Sequence, residues 1–224
     1  MRTIRRYGIP ILLFCLGLGL LCYPKLSEMY YTDKQQDLIE EWQKSFANIA
    51  AAQDDVRDAD VEHILPTPLS IAMKEHNGSE LATAVQLPDG VESMLIIDKI
   101  DLQLPVLRGA TAQNLNTSLA SIEATGIPGE IGNYAVAGHR NRTYGRNFNR
   151  LDELEIGDAI QVNTGVEQFE YIVMEKFLVE PDEVWVLEPN GTDKEITLIT
   201  CDPIENATHR LIVKGIMQSD NLES

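Results

Sequence analysis

Hydrophobic and polar positions divide the chain into three stretches with different patterns. An uncharged run rich in Leu, Ile and Gly extends from Tyr7 to Pro24. A polar, strongly acidic stretch follows, in which Leu38, Trp42, Phe46 and Ile49 recur at helical spacing. That period predicts a helix from about Asp33 to Ala52 with one narrow apolar stripe, and Thr32 with Gln35 reads as its capping box. From residue 53 to about 87 the period is lost and Pro66 and Pro68 interrupt the chain, as in a linker. From Pro88 onward, short apolar runs alternate with turn residues such as Gly126-Ile127-Pro128-Gly129 and Pro189-Asn190-Gly191. The runs predict strands at Ser93–Ile97, Leu104–Leu107, Tyr134–Gly138, Ala159–Asn163, Phe169–Val179, Glu195–Thr200 and Arg210–Met217. Short helical turns are expected near Ala112–Leu119 and Asn147–Leu154. A mostly β fold follows, with so many short strands suggesting a closed or nearly closed barrel. The predicted organisation is therefore an N-terminal segment (1–25), an acidic helical stalk and linker (26–87) and a β-barrel domain (88–224).

The first run has the length of a membrane span. As helix it covers roughly 27 Å at about 1.5 Å per residue, close to a hydrocarbon core of about 30 Å. Arg2, Arg5 and Arg6 precede it, and Tyr7 and Tyr23 bracket it. By the positive-inside rule the N-terminus stays cytoplasmic and everything after Lys25 lies outside. A cleaved signal peptide is the other reading, but Leu-Cys-Tyr-Pro-Lys lacks small residues at a cleavage site. Lipid attachment at Cys15 or Cys22 is disfavoured by the bulky Phe14 and Leu21 before them. The acidic helix reads as a solvated stalk, with docking of its stripe on the barrel or a partner as the other reading. The stripe and the span are also compatible with a membrane dimer.

Charge and cysteine content narrow the chemistry. With 18 Lys and Arg against 35 Asp and Glu, the formal net charge is −17. That argues against nucleic acid, whose phosphates require Lys and Arg clusters. Of the three cysteines, only Cys201 lies outside the first apolar run, so the barrel has no internal disulfide. No Walker loop, G-x-G-x-x-G, H-E-x-x-H, paired-cysteine zinc site or EF-hand loop is present. No cofactor is expected; acidic loops leave calcium open without a motif for it.

Three residues at strand ends then stand out. Cys201 closes the run Ile196-Thr197-Leu198-Ile199-Thr200, and Asp202-Pro203 ends that strand at once. His139 follows Ala135-Val136-Ala137-Gly138, where Gly138 would let backbone or substrate approach closely. Arg210 opens the next strand, and a hairpin from Asp202 to His209 brings it back beside the cysteine. A thiol with a distant histidine is a candidate nucleophile pair, and a guanidinium can stabilise an oxyanion. Imidazole suits proton transfer near neutral pH. Each also has an ordinary reading: a packed thiol, a surface imidazole, a solvated guanidinium. His209 competes with His139, but at a strand start it points away from the face used by Arg210, which ranks it second.

Thr197-Leu198-Ile199-Thr200-Cys201, Ala137-Gly138-His139 and Arg210 resemble the sortases, membrane-anchored cysteine transpeptidases of Gram-positive bacteria. Leu104-Pro105-Val106-Leu107 and Gly132-Asn133-Tyr134 extend the likeness over about residues 88 to 218. Most details are similar to class A; Gly138-His139-Arg140 and Pro203 are similar to class D. The resemblance implies an eight-stranded barrel that cleaves a Leu-Pro-X-Thr-Gly-like sorting signal between Thr and Gly. It implies Cys201 as acyl carrier, His139 as proton carrier and Arg210 as oxyanion or backbone ligand, with Thr200, Ala137 and Gly138 as flanking substrate-binding positions. It also implies surface proteins as clients and a cell-wall precursor amine as acceptor. The loops around Ile122–Ile131 and Val179–Asp193 are the expected groove walls. A same-fold hydrolase using water, or a tethered binding module without chemistry, are the alternatives.

Overall fold

The computed structural model describes residues 2–57, 87–143 and 145–218, with the side chains of the first helix described from Ile11 to Ser45. A single helix, α1, runs from Arg2 to Arg57. The strands are β1 (Val91–Ile97), β2 (Leu102–Leu107), β3 (Leu119–Ser121), β4 (Gly132–Ala137), β5 (Ala159–Asn163), β6 (Gln168–Val179), β7 (Lys194–Asp202) and β8 (His209–Met217). They close into a barrel in the order β1-β2-β3-β4-β7-β8-β6-β5. A short helix, α2 (Ala112–Thr117), precedes β3, and 3-10 turns lie at Leu151–Glu153 and Val184–Leu187.

The sequence pattern explains the closure. Leu95, Val136, Ile160, Val173, Leu198 and Val213 all point into one buried interior. β1 is apolar on both faces, as strands covered on both sides are. Leu95 and Ile97 face the interior, whereas Met94 joins Val91, Leu107 and Ala120 in a second cluster outside the barrel. Trp42 of α1 completes that second cluster, with Leu38 packed against it.

Two expectations are corrected here. The helix does not begin at Thr32. Helical turns already precede that residue, so its hydroxyl donates back to the Glu28 carbonyl (2.8 Å) instead of capping. Nor is the stripe solvated: Trp42 is 4 % exposed. The rest of the stripe, Phe46 and Ile49, and most of the linker predicted from residue 53 to 87 lie outside the described residues. Residues Ile11 to Tyr23, by contrast, project exposed apolar side chains such as Leu12, Phe14 and Leu21.

α1 also carries polar contacts to the barrel. Gln35 donates to Ser118 Oγ (3.2 Å) and Asn147 Oδ1 (3.1 Å). Glu28 accepts from Thr143 Oγ1 (2.7 Å) and pairs with Arg146 (3.4 Å). Removing Trp42 takes away the apolar centre of this contact. Trp42→Ala should weaken helix docking by about 3 kcal/mol, the lower end for truncating a buried Trp. Hydrogen exchange is expected to accelerate along residues 28–45 while β7 and β8 keep their protection.

Candidate active site

Register places the three strand-end residues together. β4 and β7 run parallel, with Ala137 beside Ile199. Two bonds carry that register one step further: Gly138 N–H to the Ile199 carbonyl (3.1 Å), and Thr200 Oγ1 to the Gly138 carbonyl (2.7 Å). The next residues in line are His139 and Cys201. On the other side, β7 and β8 are antiparallel and pair Cys201 directly with Arg210. Directly opposed residues project on the same face, with Cβ atoms about 4.5–5.5 Å apart. That face is the outer one: Ile199 and Ile212 pack with Val179 and Val186, apart from the barrel interior. Cys201 and Arg210 are half-buried and His139 is exposed. No hydrogen bond or ion pair joins the three among the described residues; Arg210 Nη1 donates to the His209 carbonyl (3.0 Å).

The flanking residues behave differently from one another. Thr200 is 2 % exposed and spends its hydroxyl on Gly138. The glycine at 138 is required by the core, not by a ligand. A Cβ there would lie 2.6 Å from Leu119 Cδ2 and 2.7 Å from Phe148 Cδ2, both in fully buried residues. Ala137 stays partly exposed beside Ile199 on the outer face. His209 pairs opposite Asp202, and its ring contacts Glu180 (3.4 Å) and Thr208 (2.8 Å).

Of the two expected walls, Val179–Asp193 starts at this rim, since Val179 pairs with Arg210. It is pinned along the barrel by Asn133 Nδ2, which donates to the Val186 carbonyl (3.0 Å). The segment Ile122–Ile131 instead prolongs β3 beside β4, from Ala135 towards the start of that strand. A cavity of about 540 Å³ lies against it, lined by Arg108, Ser121, Thr125 and Tyr134 and by none of Cys201, His139 and Arg210. Among the described residues, no group of three or more His, Cys, Asp or Glu is placed to hold a metal ion.

His139 titrates below its ordinary value near 6.5, first because its ring, though still open to solvent, is partly desolvated by its surroundings, and then because of the nearby Arg146 guanidinium. The sign of the consequence is fixed. A histidine harder to protonate when folded makes the folded state lose stability as pH falls through the unfolded value near 6.5. An NMR titration of the His139 ring should give a midpoint below 6.5. Arg146→Ala should move that midpoint upward without reaching the ordinary value, because the partial desolvation remains.

Sequence reasoning missed one pair of residues. Arg140 and Asp202 directly follow His139 and Cys201, one step further along the same parallel register. The Arg140 guanidinium, whose side chain is only 7 % exposed, ion-pairs with Asp202 and with Asp152 (2.8 Å). Its Nε also donates to the Asn149 carbonyl (3.4 Å). The signal was present as an Arg and an Asp each following a candidate reactive residue, but it becomes a contact only once β4 and β7 are parallel.

Both the sequence and the fold are similar to those of known proteins. A sortase-domain family model matches residues 95–218. The chain is 30% identical over 208 residues to sortase A of Bacillus anthracis, covering 92% of this chain and 91% of that protein. It is 29% identical over 125 residues to sortase D of Bacillus subtilis, covering 54% of this chain and 61% of that one. Among solved structures, a Clostridium perfringens sortase D5 transpeptidase aligns with a TM-score of 0.62 at 25% identity, over 84% of this chain and 100% of the other. Listeria monocytogenes sortase A aligns with a TM-score of 0.56 at 29% identity, over 58% of this chain and 89% of the other. The chain belongs to the sortase family and is a cysteine transpeptidase. Sortases are membrane-anchored, and α1 provides an apolar helix of sufficient length, within Ile11–Ser45.

Proposed function

We propose that Cys201 is the nucleophile, His139 the proton carrier and Arg210 the oxyanion ligand. The substrate is read as a Leu-Pro-X-Thr-Gly-like sorting signal cut between Thr and Gly. The observation that carries this reading is the register that sets Cys201 between His139 and Arg210 on one outer face. In this reading the Cys201 sulfur attacks the Thr carbonyl and its proton passes to the neutral His139 ring. The oxyanion forms against the fixed charge of Arg210. On collapse, His139 returns the proton to the departing Gly amine, leaving a thioester on Cys201. An incoming amine then attacks the thioester and gives its proton to His139, and the sulfur is released. Ala137 offers the groove floor and Val179–Asp193 one wall, while Gly138 and Thr200, bonded to each other, hold the two strand ends behind it.

The acceptor in this reading is an amine of a cell-wall precursor, and the clients are surface proteins bearing the signal. In this reading Arg2, Arg5 and Arg6 keep the N-terminus cytoplasmic and the barrel lies outside. No cofactor takes part in these steps.

The test is to incubate the full chain in detergent with Leu-Pro-X-Thr-Gly-type peptides, with and without oligoglycine. Mass spectrometry is expected to show a thioester adduct on Cys201 and peptide transferred to the amine, with neither formed by Cys201→Ala. Product carrying water in place of amine, at saturating amine, would point to the hydrolase reading. Transfer by Cys201→Ala would overturn the assignment.

A further inference from the structure

α1 ties the apolar run mechanically to the rim that carries Cys201. The strand directions define two ends of the barrel: β1, β4, β6 and β7 finish at the rim, while β2, β3, β5 and β8 begin there. Trp42 shares a buried cluster with Val91, Met94, Leu107 and Ala120; Val91 and Leu107 pair with each other at the opposite end, with Ala120 beside Leu107. One further stretch towards the N-terminus, Gln35 reaches Ser118, just before β3, and Asn147. Glu28 then meets Thr143 and Arg146 in the loop that follows His139. As residue numbers fall from 42 to 28, the helix therefore climbs from the far end to the rim. It continues without a break into the exposed apolar stretch. Pro24 is only four residues before Glu28, roughly 6 Å along a helix axis.

We infer that α1 is a strut that holds the Cys201 rim facing the lipid headgroup layer of the bilayer it crosses, with the far end of the barrel directed away. The partner surface is the bilayer itself. This deepens the proposed function and rests on the reading of residues 7–24 as a membrane span. Electrostatics do not supply the orientation: a chain of formal charge −17 is repelled by anionic lipid, so the hold is steric and comes from the docked helix. Cys201 then acts on amide bonds offered at the headgroup layer, not on those far into the aqueous space.

The full chain in phosphatidylcholine nanodiscs provides the test, using isoleucine methyl NMR with a gadolinium-chelating headgroup lipid. Ile156 and Ile204 are exposed at the rim end, and Ile127 and Ile131 are exposed towards the other. Ile156 and Ile204 should lose most of their signal while Ile127 and Ile131 keep theirs. Equal or reversed losses would overturn the orientation. A chain that fails to co-elute with nanodiscs would overturn the span, and the inference with it. In a Glu28→Ala, Gln35→Ala, Trp42→Ala variant with unchanged Ile127 and Ile131 chemical shifts, the contrast should disappear. Its persistence would overturn the strut as its cause.

Discussion

His139→Ala should lower kcat by about 10²–10⁴-fold, the usual contribution of a positioned proton carrier. The effect follows from the place of the ring, not from histidine chemistry in general. His139 follows a strand whose register leads it to Cys201, and its carbonyl is fixed by the Phe148 N–H (3.1 Å). Phe148 is fully buried, so the loop after the ring is tied to the core. KM should change little, because the outer-face floor of Ala137 and Ile199 is left intact. His209→Ala is the control and should keep the rate within the same order of magnitude, since that ring turns to Glu180 and Thr208. Steady-state kinetics on both variants decide it; the reverse ranking would exchange the two histidines.

The second large effect is expected at Arg140. Alanine there removes a buried guanidinium and leaves Asp202 and Asp152 facing each other without a cation. Breaking a fully buried pair from one side costs about 3–5 kcal/mol. Asp202 and Asp152 retain 25% and 51% of their side-chain exposure, so water recovers part of that. A loss of about 2–3 kcal/mol is the expected result in urea unfolding. Asp202→Asn in the Arg140→Ala background should regain part of it, and the coupling in a double-mutant cycle measures the pair. Activity should fall as well, because an unpaired carboxylate beside Cys201 disfavours any negative charge developing on its sulfur. Additive effects of the two substitutions would show that the pair does not act as a unit.

The barrel was largely legible because its strands are bounded by Gly and Pro and read as apolar runs. Ala159–Asn163 is predicted with the bounds observed, and most of the others within two residues. β3 escaped. Leu119–Ser121 has three residues and follows α2 after a single residue, too short for a period to show. The start of α1 was misplaced because a local capping signal at Thr32 says nothing about helical turns further upstream. Trp42 and Leu38 were visible as a stripe, but the surface that receives them is assembled from β1, β2 and β3. Cys201, His139 and Arg210 stand out in the sequence because each ends or opens an apolar run, and the register brings those run ends together. Arg140 and Asp202 were not, because their meeting depends on two distant strands being parallel and in one register.

The packing of Leu119 and Phe148 against the backbone at Gly138 bears on how this enzyme can be re-engineered. Libraries that randomise residues 137–140 should return mostly destabilised clones, since added bulk at 138 collides with fixed side chains at a cost of about 1–3 kcal/mol. Variation between residues 180 and 193 meets mainly solvent. If Val179–Asp193 forms one wall as proposed, new donor preferences are to be selected from that outer segment, with the reactive end kept as it is.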